Sequence, residues 1–129
     1  MASEKFVIPY PRDKKLKEAF TTRYGLNAYY AGKHWRARRD DAATWHDTVH
    51  AEIRRQKVRT VPFENPVELY FYWNDGLDLS NHAAMAKMIE DAMIGTIIKG
   101  DSQRYVVGIH HFFHDKNVIG VGIKEVRVE

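Results

Sequence analysis

The spacing of apolar positions changes several times along the chain, and each change marks an element. Lys5–Ile8 (KFVI) predicts a short strand closed by Pro9 and Pro11, which cannot donate to a ladder. Residues 12–33 hold no sustained period and read as polar and irregular, with aromatics at Tyr24, Tyr29 and Tyr30. From Trp35 to Lys57 the spacing turns helical, with Trp45, Val49 and Ile53 on one face. Pro62 and Pro66 then break the chain, and Val67–Trp73 (VELYFYW) predicts an aromatic strand followed by an Asn74-Asp75-Gly76 turn. A second helix is expected from Ser80 or Asn81 to Ile94, with Met85, Met88, Ile89, Ala92 and Met93 as its apolar stripe and Gly95 as its stop. Arg104–Phe113 and Val118–Val128 predict two further strands, joined as a hairpin through residues 114–117. The order implies an α+β fold: one small domain over residues 1–129, with a mostly antiparallel sheet packed against two main helices.

Composition narrows the function classes. There is no cysteine, which excludes disulfides, zinc ribbons and thiol nucleophiles. No apolar run reaches the roughly 20 residues of a membrane span, and the first residues lack the apolar stretch of a signal peptide. The expectation is a soluble, cytoplasmic protein without a membrane partner. The net charge of +3 conceals an asymmetry. Residues 1–59 carry 14 Lys and Arg against 7 Asp and Glu, whereas residues 60–129 carry 6 against 10. A basic half suits a polyanion and an acidic half suits a cation.

No phosphate-cradling glycine loop, dinucleotide fingerprint or nucleophile elbow is present. His110, His111 and His114 do not read as a metal cluster, because adjacent strand residues point to opposite faces. His46 and His50 stand one helical turn apart but lack a third ligand. The carboxylates are more informative. Asp78 precedes the second helix, Glu90 and Asp91 lie on it one turn beyond Lys87, and Asp101 lies in the loop after it. Oxygen-only donors suit Mg²⁺, which can polarise a phosphodiester and activate water. Such acids also serve as ordinary solvated charges.

Taken in order, these segments resemble the RusA-type Holliday junction resolvases, phage-type members included, over residues 5–128. Asp78-Leu79-Ser80-Asn81, then Lys87, Glu90-Asp91-Ala92 and Lys99-Gly100-Asp101-Ser102-Gln103, are similar to that family's D-x-D-N start, helical lysine and D-D loop. Leu26-Asn27-Ala28-Tyr29-Tyr30 with His34-Trp35-Arg36-x-Arg38 is similar to its aromatic N-terminal element. The resemblance implies a homodimeric, Mg²⁺- or Mn²⁺-dependent endodeoxyribonuclease that resolves four-way DNA junctions by paired symmetric nicks. It assigns metal ligation and catalysis to Asp78 and Asp101. It places the catalytic lysine on Lys87, one helical turn later than the family pattern, and it retains Asn81.

Two positions depart from the pattern: Ser80 and Gly100 stand where the family has aspartates. Asp91 is the preferred stand-in as ligand and catalytic carboxylate, ahead of Glu90 and Asp75. Without a substitute, the alternative is a junction- or DNA-binding protein with an impaired or lost site. A third reading is an interaction module whose charge asymmetry serves a protein partner. For DNA contact the expected residues are Tyr29, Tyr30, Lys33, Trp35, Arg36, Arg38 and Arg39, with cations on phosphates and rings on opened bases. Trp35 equally suits packing, and Trp45 and Trp73 suit the core. Two opposed cuts need two sites related by two-fold symmetry. Met85, Met88 and Met93 are candidate contributors to such an interface.

Overall fold

The structure, a computed structural model, describes residues 2–127. It opens with β1 (Ser3–Pro9), in which Phe6 and Ile8 turn inward and Lys5 and Val7 face out. The segment expected to be irregular folds into α1 (Lys14–Tyr24) and α2 (Leu26–Tyr30). Its helical signal is short. Asp13 caps α1 by accepting from the Leu16 N–H at 3.1 Å. Phe20 and Tyr24 pack it against the core, with ring centroids 5.6 and 5.3 Å from that of Trp45.

α3 (Trp35–Arg55) buries Asp41, Trp45, Val49 and Ile53, one residue per turn on a single face. It ends two residues before Lys57, which adopts a positive φ of 55°. β2 (Val67–Trp73) alternates strictly, with Val67, Leu69, Phe71 and Trp73 buried and the residues between them half-buried. A 3-10 turn over Leu79–His82 precedes α4 (Ala83–Met93), so the regular helix begins later than Ser80. Met85 and Met93 are fully buried in the core and Met88 packs against it. The methionine stripe is therefore interior, which removes Met85 and Met93 as interface candidates.

β3 (Val106–Phe113) and β4 (Val118–Glu125) complete a four-stranded mixed sheet of order β1-β4-β2-β3. The last strand was expected to reach Val128, which lies outside the described residues. β4 runs antiparallel to both β1 and β2, and β3 runs parallel to β2. The expected β3–β4 hairpin is absent, because β2 lies between the two strands. The crossover through α4 returns the chain beside β2 in the same direction. Residues 114–117 then pass over the end of β2. There the His114 N–H donates to the Trp73 carbonyl at 3.1 Å, and Asn74 Nδ2 donates to the Lys116 carbonyl at 3.1 Å.

The result is α+β, with α3 and α4 packed on one face of the sheet through a continuous core from Phe6 to Ile123. Trp45 and Trp73 belong to that core, as expected. No helix among the described residues is long and apolar enough to cross a membrane.

Candidate functional site

Lys87, Glu90 and Asp91 occupy one face of α4 because residues three and four apart are neighbours on a helix. The chain after α4 turns tightly at Gly95, whose φ of 87° favours glycine, and Ile97 and Ile98 plug into the core. This turn directs the following loop back over the helix and brings Asp101 to Lys87. The Lys87 ammonium pairs closely with Asp101, lies 3.0 Å from Asp91 and 3.5 Å from Glu90. Carboxylate oxygens of Glu90, Asp91 and Asp101 all fall within 4.8 Å of one another.

The electrostatics follow from burial. The hydrogen bond to Asp101 holds the Lys87 ammonium above its ordinary range, and Lys87 in turn holds Asp101 below the usual carboxylate range. Glu90 is buried, and burial pushes its carboxyl up against the opposing pull of Lys87. Three carboxylates without nitrogen or sulfur donors fit a hard divalent cation such as Mg²⁺ or Mn²⁺. Lys87 supplies the positive charge that neutralises them in this structure.

The other expected site residues fall elsewhere. Asp78 is exposed at the start of the 3-10 turn, where its carbonyl accepts the Asn81 N–H at 3.0 Å. It is not part of the three-carboxylate group. Ser80 is exposed on the same turn, and Asn81 is half-buried beside it. At Gly100 a Cβ would lie 3.0 Å from the Tyr105 ring, so a side chain there requires that ring to shift.

Asp75, weighed as a stand-in ligand, is committed inside the protein. It accepts from Tyr10 Oη at 3.0 Å and the Leu77 N–H at 3.1 Å, and it meets His82 Nε2 at 2.8 Å. Both Asp75 and His82 side chains are fully buried. His82 Nδ1 faces the Leu79 carbonyl at 3.1 Å, so both ring nitrogens face oxygen acceptors. Trp73 stacks on the His82 ring at 4.2 Å. The unit fastens the end of β2 to the turn that carries Asp78, Ser80 and Asn81.

The basic end of α3 divides into an inward and an outward set. Buried Asp41 accepts from Arg23 at 2.8 and 3.0 Å and from Tyr29 Oη at 2.9 Å, and it pairs closely with Lys33. Burial raises the Asp41 carboxyl, but Lys33, Arg23 and Tyr29 together outweigh it and hold the group below its usual range. Tyr29 and Lys33 are thereby turned towards the protein. Arg38 donates to the Tyr29 carbonyl at 3.1 Å. Tyr30 and Trp35 remain outward, 80% and 59% exposed. The guanidinium carbons of Arg36 and Arg39 each lie 5.3 Å from the Trp35 ring centroid. The result is a cation-flanked indole open to solvent.

The histidines serve packing and hydrogen bonding. His50 Nε2 lies 2.8 Å from the Ala92 carbonyl, tying α3 to α4, and His46 stacks on it at 4.1 Å. His110 and His111 sit on opposite sheet faces, beside Tyr70 and Phe71 respectively. No family model and no curated protein sequence matches the chain.

Proposed function

We propose that the protein is a metal-dependent endodeoxyribonuclease acting on branched, four-way DNA. The observation that carries this reading is the convergence of Asp91, Asp101 and buried Glu90 on Lys87, from two segments that the fold folds back on one another. Asp101, Asp91 and Glu90 would hold Mg²⁺ or Mn²⁺, which supplies charge neutralisation at the scissile phosphate and a more acidic attacking water. Lys87, on its four-carbon stem, would then be free to contact the phosphate or the leaving oxygen. Asp78, held on its anchored turn, offers a further carboxylate to a substrate spanning both segments. Trp35 with Arg36 and Arg39, next to Tyr30 and Arg38, supplies cations for phosphates and exposed rings for unstacked bases.

Cutting two opposed strands calls for two copies of the chain. Support for self-association comes from β3, an edge strand without a charged residue. Its Val107, Ile109, Phe112 and Phe113 are 51%, 47%, 45% and 59% exposed. Such an edge favours pairing with another strand.

A labelled four-way junction incubated with Mg²⁺, Mn²⁺ or chelator, beside a linear duplex, tests the activity. Paired symmetric nicks in the junction alone are expected, lost on chelation and reduced by orders of magnitude in Asp101→Asn. Unchanged cutting by both Asp101→Asn and Asp78→Asn would overturn the assignment. A second reading, a junction binder without cleavage, draws on the Lys87 ammonium already neutralising the acids. It predicts tight junction binding without nicks in either metal.

A further inference from the structure

The sheet face opposite α3 and α4 carries a groove of about 940 Å³ running along β4. Its floor is β4, where Gly120, buried beneath the Tyr72 side chain, and half-buried Gly122 pair directly with Tyr72 and Tyr70 of β2. Neither glycine occupies a left-handed conformation, so turn geometry does not explain them. At Gly120 the close approach is that of Tyr72, whose Cβ and ring would lie 3.1 and 3.2 Å from an added Cβ, whereas Gly122 leaves the floor open beside Tyr70. On one wall stand Tyr70 and Tyr72. Their far sides are backed by rings from β3: His110 lies 4.7 Å from Tyr70, and Phe112 lies 5.5 Å from Tyr72. The Tyr70 and Phe112 rings are within 8° of parallel. The two tyrosines thus form a braced aromatic wall bordering the groove. On the opposite wall are Lys5 and Val7 of β1, and Lys116 and Lys124 stand at the two ends. Glu4 lies near one end. Glu68, on the same face, is engaged by Tyr70 Oη at 3.1 Å and His110 at 3.3 Å.

We propose that this groove binds single-stranded DNA, with unpaired bases stacked on Tyr70 and Tyr72 and phosphates held by Lys5, Lys116 and Lys124. Two residues along a strand span about 7 Å, so each ring serves its own base. A base is flat enough to enter above Gly122, and every base offers a π-face to an aromatic wall. The choice of DNA over RNA rests on the proposed action on DNA junctions. This surface is distinct from Trp35 and from the acidic group, and the proposal stands whether or not those acids hold a metal.

Fluorescence anisotropy of a labelled oligothymidylate at low salt tests it, using the full chain. Gly122→Val fills the floor while leaving both rings, since its Cβ would meet Tyr70 Cβ at an ordinary 3.4 Å. It is expected to keep its melting temperature and lose about tenfold or more in affinity, as is Tyr72→Ala. Leu16→Ala, on the exposed face of α1, should bind the oligomer as the wild type does. Lys124→Ala should flatten the dependence of log affinity on log salt by about 0.7. Absence of oligothymidylate binding by the wild type, or full binding by folded Gly122→Val, would overturn the proposal. Oligouridylate bound as tightly would overturn the assignment to DNA. Junction cleavage is read separately, so the two proposals fail independently.

Discussion

Asp41 shows how one residue joins stability to the basic surface. It occupies the same face of α3 as Trp45, Val49 and Ile53, yet it is a carboxylate, and Arg23, Lys33 and Tyr29 converge to satisfy it. Replacing it by alanine leaves those groups without their acceptor and should cost about 3 kcal/mol in urea unfolding. Its carboxyl is held below the ordinary range in the folded state, as is that of Asp75, where burial is outweighed by His82. Groups of this kind stabilise the fold above their unfolded values, near pH 4, and lose that contribution as pH falls through the folded ones. Thermal melts should therefore hold steady above about pH 5 and decline below pH 4. Asp41→Asn should start lower and decline less. In the sequence, this position was readable as the next member of the every-fourth stripe. A stripe defined by hydrophobicity stops at Trp45, because a buried aspartate is recognised only with its partners, and Arg23 and Tyr29 come from other helices. Lys87 is the complementary case. Its one-turn relation to Asp91 was visible from spacing, whereas the approach of Asp101 depended on how the loop after Gly95 closes. Lys87→Met should deepen the site's demand for a cation, so that Mg²⁺ raises its melting temperature by more than it raises that of the wild type. An equal rise in both would argue against ion binding by these carboxylates.

Among elements, period-two alternation made β2 legible, and its burial pattern follows the sequence residue by residue. Pairing was less so. The turn chemistry of residues 114–117 suits a hairpin, but β2 already offers β3 an edge at the end of the α4 crossover. Local signals place strands; which edge each one takes depends on the helix layer they must all cover. The outer edge of β1 shows how a helix contributes to the sheet. At the C-terminal end of α3, the Gln56 carboxamide donates to the Val7 carbonyl at 2.7 Å and accepts the Val7 N–H at 2.9 Å. It acts as a one-residue strand and blocks further pairing there. Gln56→Ala should cost about 1 kcal/mol and accelerate hydrogen exchange at the Val7 amide. Unchanged exchange there would show that the carboxamide does not protect the edge.

At the scale of the molecule, the two sheet edges differ in kind. The β1 edge is closed by Gln56, while the β3 edge presents apolar side chains without a charge. If β3 joins two copies, Ile109→Lys combined with Phe113→Lys should sediment as a monomer while the wild type sediments as a dimer, with little change in far-UV circular dichroism. A wild type that is monomeric at all accessible concentrations would remove the β3 pairing. The charge asymmetry was evident from composition, but its use was not. Part of the basic half is spent internally on Asp41, and part of the acidic half on His82, through Asp75, and on Lys87, through Asp91 and Asp101.

The strand order also sets a schedule. β1 leaves the ribosome before every other described element, yet among the described strands its only sheet neighbour is β4, which is made last of the four. At ordinary synthesis rates β1 waits roughly 5 to 20 s for residues 118–125 to be made. Through that interval the nascent chain exposes Phe6 and Ile8 without a sheet to cover them, and Gln56 is the earliest residue able to engage the strand's backbone. Chains stalled before Val118 should therefore be caught by proteases and chaperones at β1.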